Sequence, residues 1–279
     1  MSYKTILTVL CDPSQLPQLD GAAALATAQD AHLEVLCLGI DHSQAGYFFP
    51  GGTPYGLREA IDNALQDVTR LETMVRDRLA AAIDLRWSCE SAVTQSGGMA
   101  SLIGMRARFA DLAVQSAPYA QGQPQDAVTA TEAALFEGGC PVLILPRDAA
   151  PVMPPRGVLV AWNQSPEALA AIRRALPLLR QARMVELTCI DPGRSGPERS
   201  DPGGALAQML TRHGVRTQVA VLARSGPRIS DQLNRRATEI GADLVVMGAY
   251  GHSRLRQAIL GGATRNMLEQ AALPVFLAR

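Results

Sequence analysis

"ADLVVMGAYG", Ala242 to Gly251, repeats "ADLAVQSAPY", Ala110 to Tyr119. Each copy opens on Ala-Asp-Leu, runs through an apolar segment and ends in small or turn-forming residues, the pattern of a buried strand leaving its sheet. A second pair keeps nearly the same offset: "CPVLILPR", Cys140 to Arg147, against "LPVFLAR", Leu273 to Arg279. Two matches at nearly one spacing predict an internal duplication in place of one long domain.

The remaining apolar runs follow the same rhythm. The first half reads "KTILTVL", "LEVLCLGI", "LRWSCESAV", "DLAVQS" and "PVLILP"; the second reads "GVLVAW", "MVELTCI", "RTQVAVL", "DLVVMG" and "PVFLA". Helix-like stretches such as "SPEALAAIRRALPLLRQA" separate them. In "ISDQLNRRATEIGA", Ile229, Leu233, Ala237 and Ile240 recur at the spacing of one buried helix face, with Ser230 or Asp231 as candidate caps. Near-continuous apolar strands alternating with helices predict an α/β fold of doubly wound parallel sheets, one five-stranded sheet in each half. The proline-rich "PRDAAPVMPPRG", Pro146 to Gly157, can continue neither element and places the boundary near residue 150, giving domains 1–150 and 151–279. An insertion in the first half predicts a long amphipathic helix whose stripe, Ile61, Leu65, Val68, Leu71, Val75 and Leu79, turns to the core.

Composition bounds the function. At 279 residues with 47% hydrophobic and 19% charged residues, the chain is expected to bury a sizeable core. Its 26 basic and 26 acidic residues cancel, so no net field draws it to nucleic acid or an anionic membrane, and any anion site is local. No run reaches the ~18 apolar residues of a membrane span, and the N-terminal run falls short of the ~7–15 residues of a signal-peptide core; a cytoplasmic location is expected. Cys11, Cys37, Cys89, Cys140 and Cys189 form no C-x-x-C and read as small buried hydrophobes. His32, His42, His213 and His252 lack metal-ligand spacing, so no metal site is expected. Without a G-x-S-x-G elbow or paired carboxylates no catalytic residue is assigned, and Ser165 reads as an N-cap with Glu167 in the first turn of its helix.

"GAYGHSRLRQAILGGAT", Gly248 to Thr264, carries the candidate site. Gly248 stands where a strand leaves the sheet, Gly251 follows, and Gly261 and Gly262 stand where "GATRNMLEQAA" begins a helix. Amides in a glycine turn and at a helix N-terminus can converge on an anion. The stretch is neither a P-loop nor the dinucleotide fingerprint, and the residues alone leave a phosphate cradle and an ordinary glycine-rich connection both open.

The spacing G-x2-G-x9-G, followed by Thr264 and a helix after the fourth strand of a five-stranded unit, resembles the nucleotide loop of the universal stress protein family. The resemblance covers essentially the whole chain as two tandem copies. It implies a strand order of 3-2-1-4-5, of the adenine nucleotide alpha hydrolase type, and ATP, with Mg accompanying it, held in some members and not in others. It places Gly248, Gly251 and Gly261 at the phosphates, Met247 near base and ribose, and Gly262, Ala263 and Thr264 at the helix start. Gly262 replaces the Ser or Thr of ATP-binding members, and Asn163 replaces an acidic residue that faces the nucleoside. His252 reads either as a phosphate donor or as a solvated loop residue, and Arg254, Arg256 and Arg265 either as phosphate partners or as a solvated basic face. The first half keeps the acid as Asp12, but Ser116 and Tyr119 stand for Gly248 and Gly251 with Pro118 between them, the mark of a degenerate copy. "DPGRSGPERSDPGG", Asp191 to Gly204, has the composition of a disordered loop at the ligand edge.

The expected function is adenine-nucleotide binding in the second half, by a regulatory or protective stress protein that is not primarily an enzyme. Slow ATP hydrolysis and an interaction role without nucleotide are the alternatives. Members of the family pair through their last strands. Here "PVLILP" and "PVFLA" are expected to pair within one chain as an intramolecular pseudo-dimer, with further association into a homodimer left open.

Overall fold

The computed structural model describes residues 2–43, 55–146, 153–193, 200–249 and 262–279. All ten apolar runs form strands. They belong to two compact units. The N-terminal unit, Tyr3–Gln115 with Gln121–Cys140, holds β1 (Thr5–Leu10), α1 (Leu16–Gln29), β2 (His32–Asp41), α2 (Tyr55–Leu79), β3 (Arg86–Gln95), α3 (Met99–Ala107), β4 (Leu112–Ser116, but for its last residue) and α4 (Ala127–Glu132). The C-terminal unit, built mainly from Ser116–Ala120 and Pro141–Arg279, holds β5 (Val142–Leu145), β6 (Gly157–Ala161), α5 (Pro166–Leu179), β7 (Met184–Ile190), α6 (Gly204–Arg212), β8 (Thr217–Leu222), α7 (Ile229–Glu239), β9 (Leu244–Gly248), α8 (Gly262–Gln270) and β10 (Val275–Ala278).

In the C-terminal unit the second-half strands lie in the order β10-β9-β6-β7-β8, all parallel, which is the 3-2-1-4-5 order read from its far end. β5 adds to β10 antiparallel, with Ile144 opposite Val275 and Val142 opposite Leu277. The two last strands therefore pair, and the pair lies inside one unit. The N-terminal unit shows β3-β2-β1-β4, also parallel and in the same order through four strands.

Local devices recur in both units. Asp111 Oδ2 accepts from the backbone N–H of Lys4 at 2.7 Å and Thr5 at 3.0 Å, and Asp243 Oδ2 accepts from Arg156 at 2.7 Å and Gly157 at 3.1 Å. Each Ala-Asp-Leu thus fixes the start of the first strand of its half with a charge-assisted pair of bonds, while its leucine, Leu112 or Leu244, enters the core. At the other end of those strands, Asp12 Oδ1 accepts from Ser14 N–H at 2.8 Å and Asn163 Oδ1 from Ser165 N–H at 3.1 Å. Both turns redirect the chain from strand to helix.

Central strands are buried throughout, as their apolar sequences require; β1, β4 and β9 leave at most one residue half-exposed. The edge strand β8 departs from this, with Val219 and Val221 40% and 53% exposed. Beside it, Glu186 is the one charge in "MVELTCI" and is 1% exposed. Its carboxylate receives Arg236 Nε at 2.7 Å and Nη2 at 2.8 Å, Gln218 Nε2 at 2.8 Å and Thr188 Oγ1 at 3.1 Å. Burial alone would raise this carboxyl, but these donors outweigh it and hold it below the usual carboxylate range.

Two expectations need correction. In α2 the buried face is Ala64, Val68, Leu71, Val75 and Leu79, whereas Ile61 and Leu65 are 43% and 54% exposed. Gly39 of β2 has no Cβ and admits the helix backbone at Ala64, which turns that residue and not its neighbour to the sheet. In α7 the N-cap is Arg228, which makes no side-chain cap bond, while Ser230 and Asp231 fall inside the first turn. Leu233 and Ala237 bury there, with Ile229 and Ile240 half-buried at the ends. None of the five cysteines is in a disulfide, and four of them are buried. No helix among the described residues is long and apolar enough to cross a membrane.

Candidate functional site

In an open parallel sheet, ligands gather where neighbouring strands send their chains to opposite sides. In the C-terminal unit that point is the β6–β9 pair, where Ala161 lies opposite Met247. Asn163 follows the first of these strands by two residues, and Gly248 closes the second. Around this point the fold brings together Trp162, Asn163, Met247 and Gly248.

The Asn163 turn is locally determined. Its Oδ1 is occupied by Ser165 N–H, Gln164 takes a left-handed conformation with φ 62°, and Ser165 Oγ accepts from Ala168 N–H at 3.1 Å as the N-cap of α5. Ser165 therefore acts as the cap that its sequence context predicts. The Asn163 amide group has no partner among the hydrogen bonds of the described residues and is exposed. Trp162, 8% exposed, donates its backbone N–H to Thr188 O at 3.0 Å, but its indole Nε1 has no acceptor among the described residues. A buried indole N–H normally finds a partner, so this donor sits beside the Asn163 turn with unused capacity.

Gly248 has a packing reason to be glycine. A Cβ there would stand 2.5 Å from Ala168 N and 2.7 Å from Glu167 C, so the first turn of α5 rests directly on the end of β9. Gly248→Ala is expected to lose about 2 kcal/mol of stability, the cost of overpacking against backbone that cannot rotate away; urea melts of the two chains measure it. Met247 is 7% exposed and buried beside its neighbouring strands.

On α8, Gly262 is exposed, with no heavy atom of the described residues, chain neighbours apart, within 4 Å of where its Cβ would stand. Ala263 is also exposed, whereas Thr264 is 4% exposed and enters the unit's interior with Met267 and Leu268. Arg265 is engaged within its own helix: Nε donates to Glu269 Oε1 at 2.7 Å, and the guanidinium stands 5.2 Å from the centroid of the Tyr119 ring. Both contacts lie at the surface, where the i,i+4 pair with Glu269 is weak. Gly251, His252, Gly261, Arg254 and Arg256 lie outside the described residues, as does part of the Asp191–Gly204 loop.

Among the described residues no three His, Cys, Asp or Glu side chains come together as metal ligands. The unpartnered Trp162 donor was not legible in the sequence, since a tryptophan at a strand end reads as core.

The family model described as "Universal stress protein family" matches residues 155–279. A universal stress protein of Synechocystis sp. is 29% identical over 76 residues, which are 27% of this chain and 25% of that relative, so the match spans a quarter of the relative's length. Among solved structures, a universal stress protein from Archaeoglobus fulgidus superposes with a TM-score of 0.69 at 13% identity, covering 100% of this chain and 97% of the other. A functionally unknown protein from Pseudomonas aeruginosa PAO1 superposes with a TM-score of 0.57 at 15% identity, covering 99% and 92%. At these identities the structural likeness establishes the fold.

Proposed function

We propose that the protein is a universal stress protein, a reading supported by the match of residues 155–279 to that family's model, and that it binds an adenine nucleotide, ATP with Mg in the first instance, at the β6–β9 switch point. In this reading it serves as a cytoplasmic regulatory or protective binding protein, and residues 1–150 are a degenerate copy that has kept the fold without the glycine loop. The observation that carries the proposal is the pairing of Ala161 with Met247, which sets the Asn163 turn beside the strand that leads into the glycine stretch. The duplicated aspartate anchors and strand-end turns support the tandem reading.

The described residues suit the nucleoside end of such a ligand. The Asn163 amide and the Trp162 indole offer donors without partners to base or ribose, and Met247 offers an apolar wall. The nucleotide would bring a charged phosphate tail, for which Gly251, His252, Gly261 and Gly262 are the proposed contacts through their amides, with Ala263 and Thr264 continuing the helix start. The neutral asparagine orients by hydrogen bond and adds no charge. No general base or metal carboxylate is assigned beside this site, so binding is proposed without turnover.

Equilibrium dialysis of the full chain against ATP tests the reading. Saturable binding of one nucleotide per chain is expected, with at least a tenfold loss in Gly251→Leu, because a side chain there blocks the approach of phosphate. Gly262→Ser is expected to fold normally, since its Cβ meets open space, and to tighten binding about threefold to tenfold through one added hydroxyl bond. No saturable binding at millimolar ATP would refute the proposal.

A further inference from the structure

The N-terminal unit carries a second constellation, unrelated to the glycine stretch. β2 and β3 run parallel with Asp41 opposite Gln95 as their last registered pair, so the next residues, His42 and Ser96, leave the sheet side by side. Ser96 Oγ lies 3.2 Å from His42 Nδ1, and His42 Nε2 lies 3.2 Å from Asp126 Oδ2. Asp126 stands at the N-cap of α4 yet makes no side-chain cap bond there; its carboxylate, 14% exposed, is turned to the imidazole. An aspartate in that position ordinarily caps its helix, so the geometry diverts a group with a stabilising local use to a different partner.

We propose that Ser96, His42 and Asp126 form a nucleophile–base–carboxylate relay that cleaves small carboxylic esters. The roles follow from the contacts. Asp126 accepts from Nε2–H, which fixes the tautomer and leaves the Nδ1 lone pair facing the Ser96 hydroxyl. Ser96 Oγ also lies 3.3 Å from the Asp41 carbonyl oxygen, but only the imidazole can take its proton away. The serine is exposed at a strand-to-helix junction, followed by Gly97 and Gly98. Among the described residues, chain neighbours apart, no heavy atom stands within 4 Å of where a Gly97 Cβ would be, so an acyl group can approach the backbone there. The neighbouring thiol is no rival: burial first, then the Asp126 and Asp12 carboxylates, push Cys11 up to about 12.

The chemistry balances as acyl transfer to water. Ser96 Oγ bonds to the ester carbonyl carbon while its proton passes to His42 Nδ1, and the carbonyl π electrons move onto oxygen. Collapse breaks the bond to the alkoxide, which takes the proton from Nδ1 and departs as the alcohol. Water then adds to the acyl carbon, gives a proton to Nδ1, and Ser96 leaves with that proton as the acid is released.

The test uses the full chain with a fluorophosphonate probe and with p-nitrophenyl acetate, followed by peptide mass mapping. The expected result is probe on Ser96, an acetyl adduct on Ser96 when p-nitrophenyl acetate turnover is quenched with acid, and loss of both in Ser96→Ala. His42→Gln is expected to slow labelling about a hundredfold and Asp126→Asn about tenfold, with circular dichroism and melting temperature reporting that each variant is folded. No adduct on Ser96, ester turnover that persists in Ser96→Ala, or labelling indifferent to His42→Gln would each overturn the proposal. The acid-quenched adduct is read on the natural chain, so the test does not depend on the variants folding. ATP binding in the other unit is independent of every outcome.

Discussion

Phe276→Ala is expected to lower the unfolding free energy by about 4 kcal/mol. Phe276 is 0% exposed and stands in β10 between Val246 of β9 and Leu143 of β5, so its ring fills space on a strand paired along both edges. Removing it takes a large apolar surface out of the core and leaves a cavity whose walls are held by two hydrogen-bonded neighbours. Collapse of that cavity is opposed by the ladder on each side, which places the cost high in the range for aromatic truncations. Urea melts followed by circular dichroism check it through the midpoint of the C-terminal unit's transition. A loss below about 1 kcal/mol would mean that β10 is not the packed centre of this unit.

Arg236→Met is expected to cost about 3 kcal/mol at neutral pH. The change leaves Glu186, 1% exposed, with only Gln218 and Thr188 as donors and no countercharge. The arginine is itself 27% exposed, so part of the loss is screened by water. The pH dependence has a definite sign. Glu186 is held below the ordinary carboxylate value of about 4.3 in the folded state, so its pairing stabilises fully above that value and is lost as pH falls through the depressed folded pKa. In the variant, burial without the guanidinium raises the same carboxyl, so the stability gap between the two chains narrows as the solution is acidified. Changing both partners, Glu186→Leu with Arg236→Met, is expected to recover most of the loss, because no uncompensated charge remains. Melts of the four chains of this cycle at pH 7 and pH 4 measure both effects.

The fold was legible because its strongest signals are periodic and duplicated. Ten apolar runs became ten strands, and the two Ala-Asp-Leu copies proved to share one hydrogen-bonding task, the aspartate holding two amides of the strand beside it. Legibility failed where tertiary contacts select among local options. The α2 stripe could be drawn through Ile61 and Leu65 until Gly39 showed which face meets the sheet. Ser230 looked like a cap by residue type, yet the chain enters α7 two residues earlier.

At the candidate site, Asn163 and Met247 were named by the family resemblance, and the register of β6 with β9 sets them at neighbouring strand ends. The packing demand on Gly248 was not legible, because it depends on α5 arriving from elsewhere in the chain. Arg265, read either as a phosphate partner or as part of a solvated basic face, is held by Glu269 of its own helix and stands over the Tyr119 ring, contacts that spacing alone does not show. His42, Ser96 and Asp126 lie far apart in sequence and meet only through the register of β2 with β3. No local motif could have joined them.

Trp162 gives the most direct test of nucleotide binding at the switch point. The chain has two tryptophans, and Trp87 lies on β3 of the N-terminal unit, so a Trp87→Phe chain reports from Trp162 alone. Titration with ATP is expected to change Trp162 emission saturably, with the dissociation constant found by dialysis, and the change is expected to vanish in the same chain carrying Gly251→Leu. ATP that binds by dialysis while Trp162 emission stays constant would place the nucleotide elsewhere and contradict the assignment.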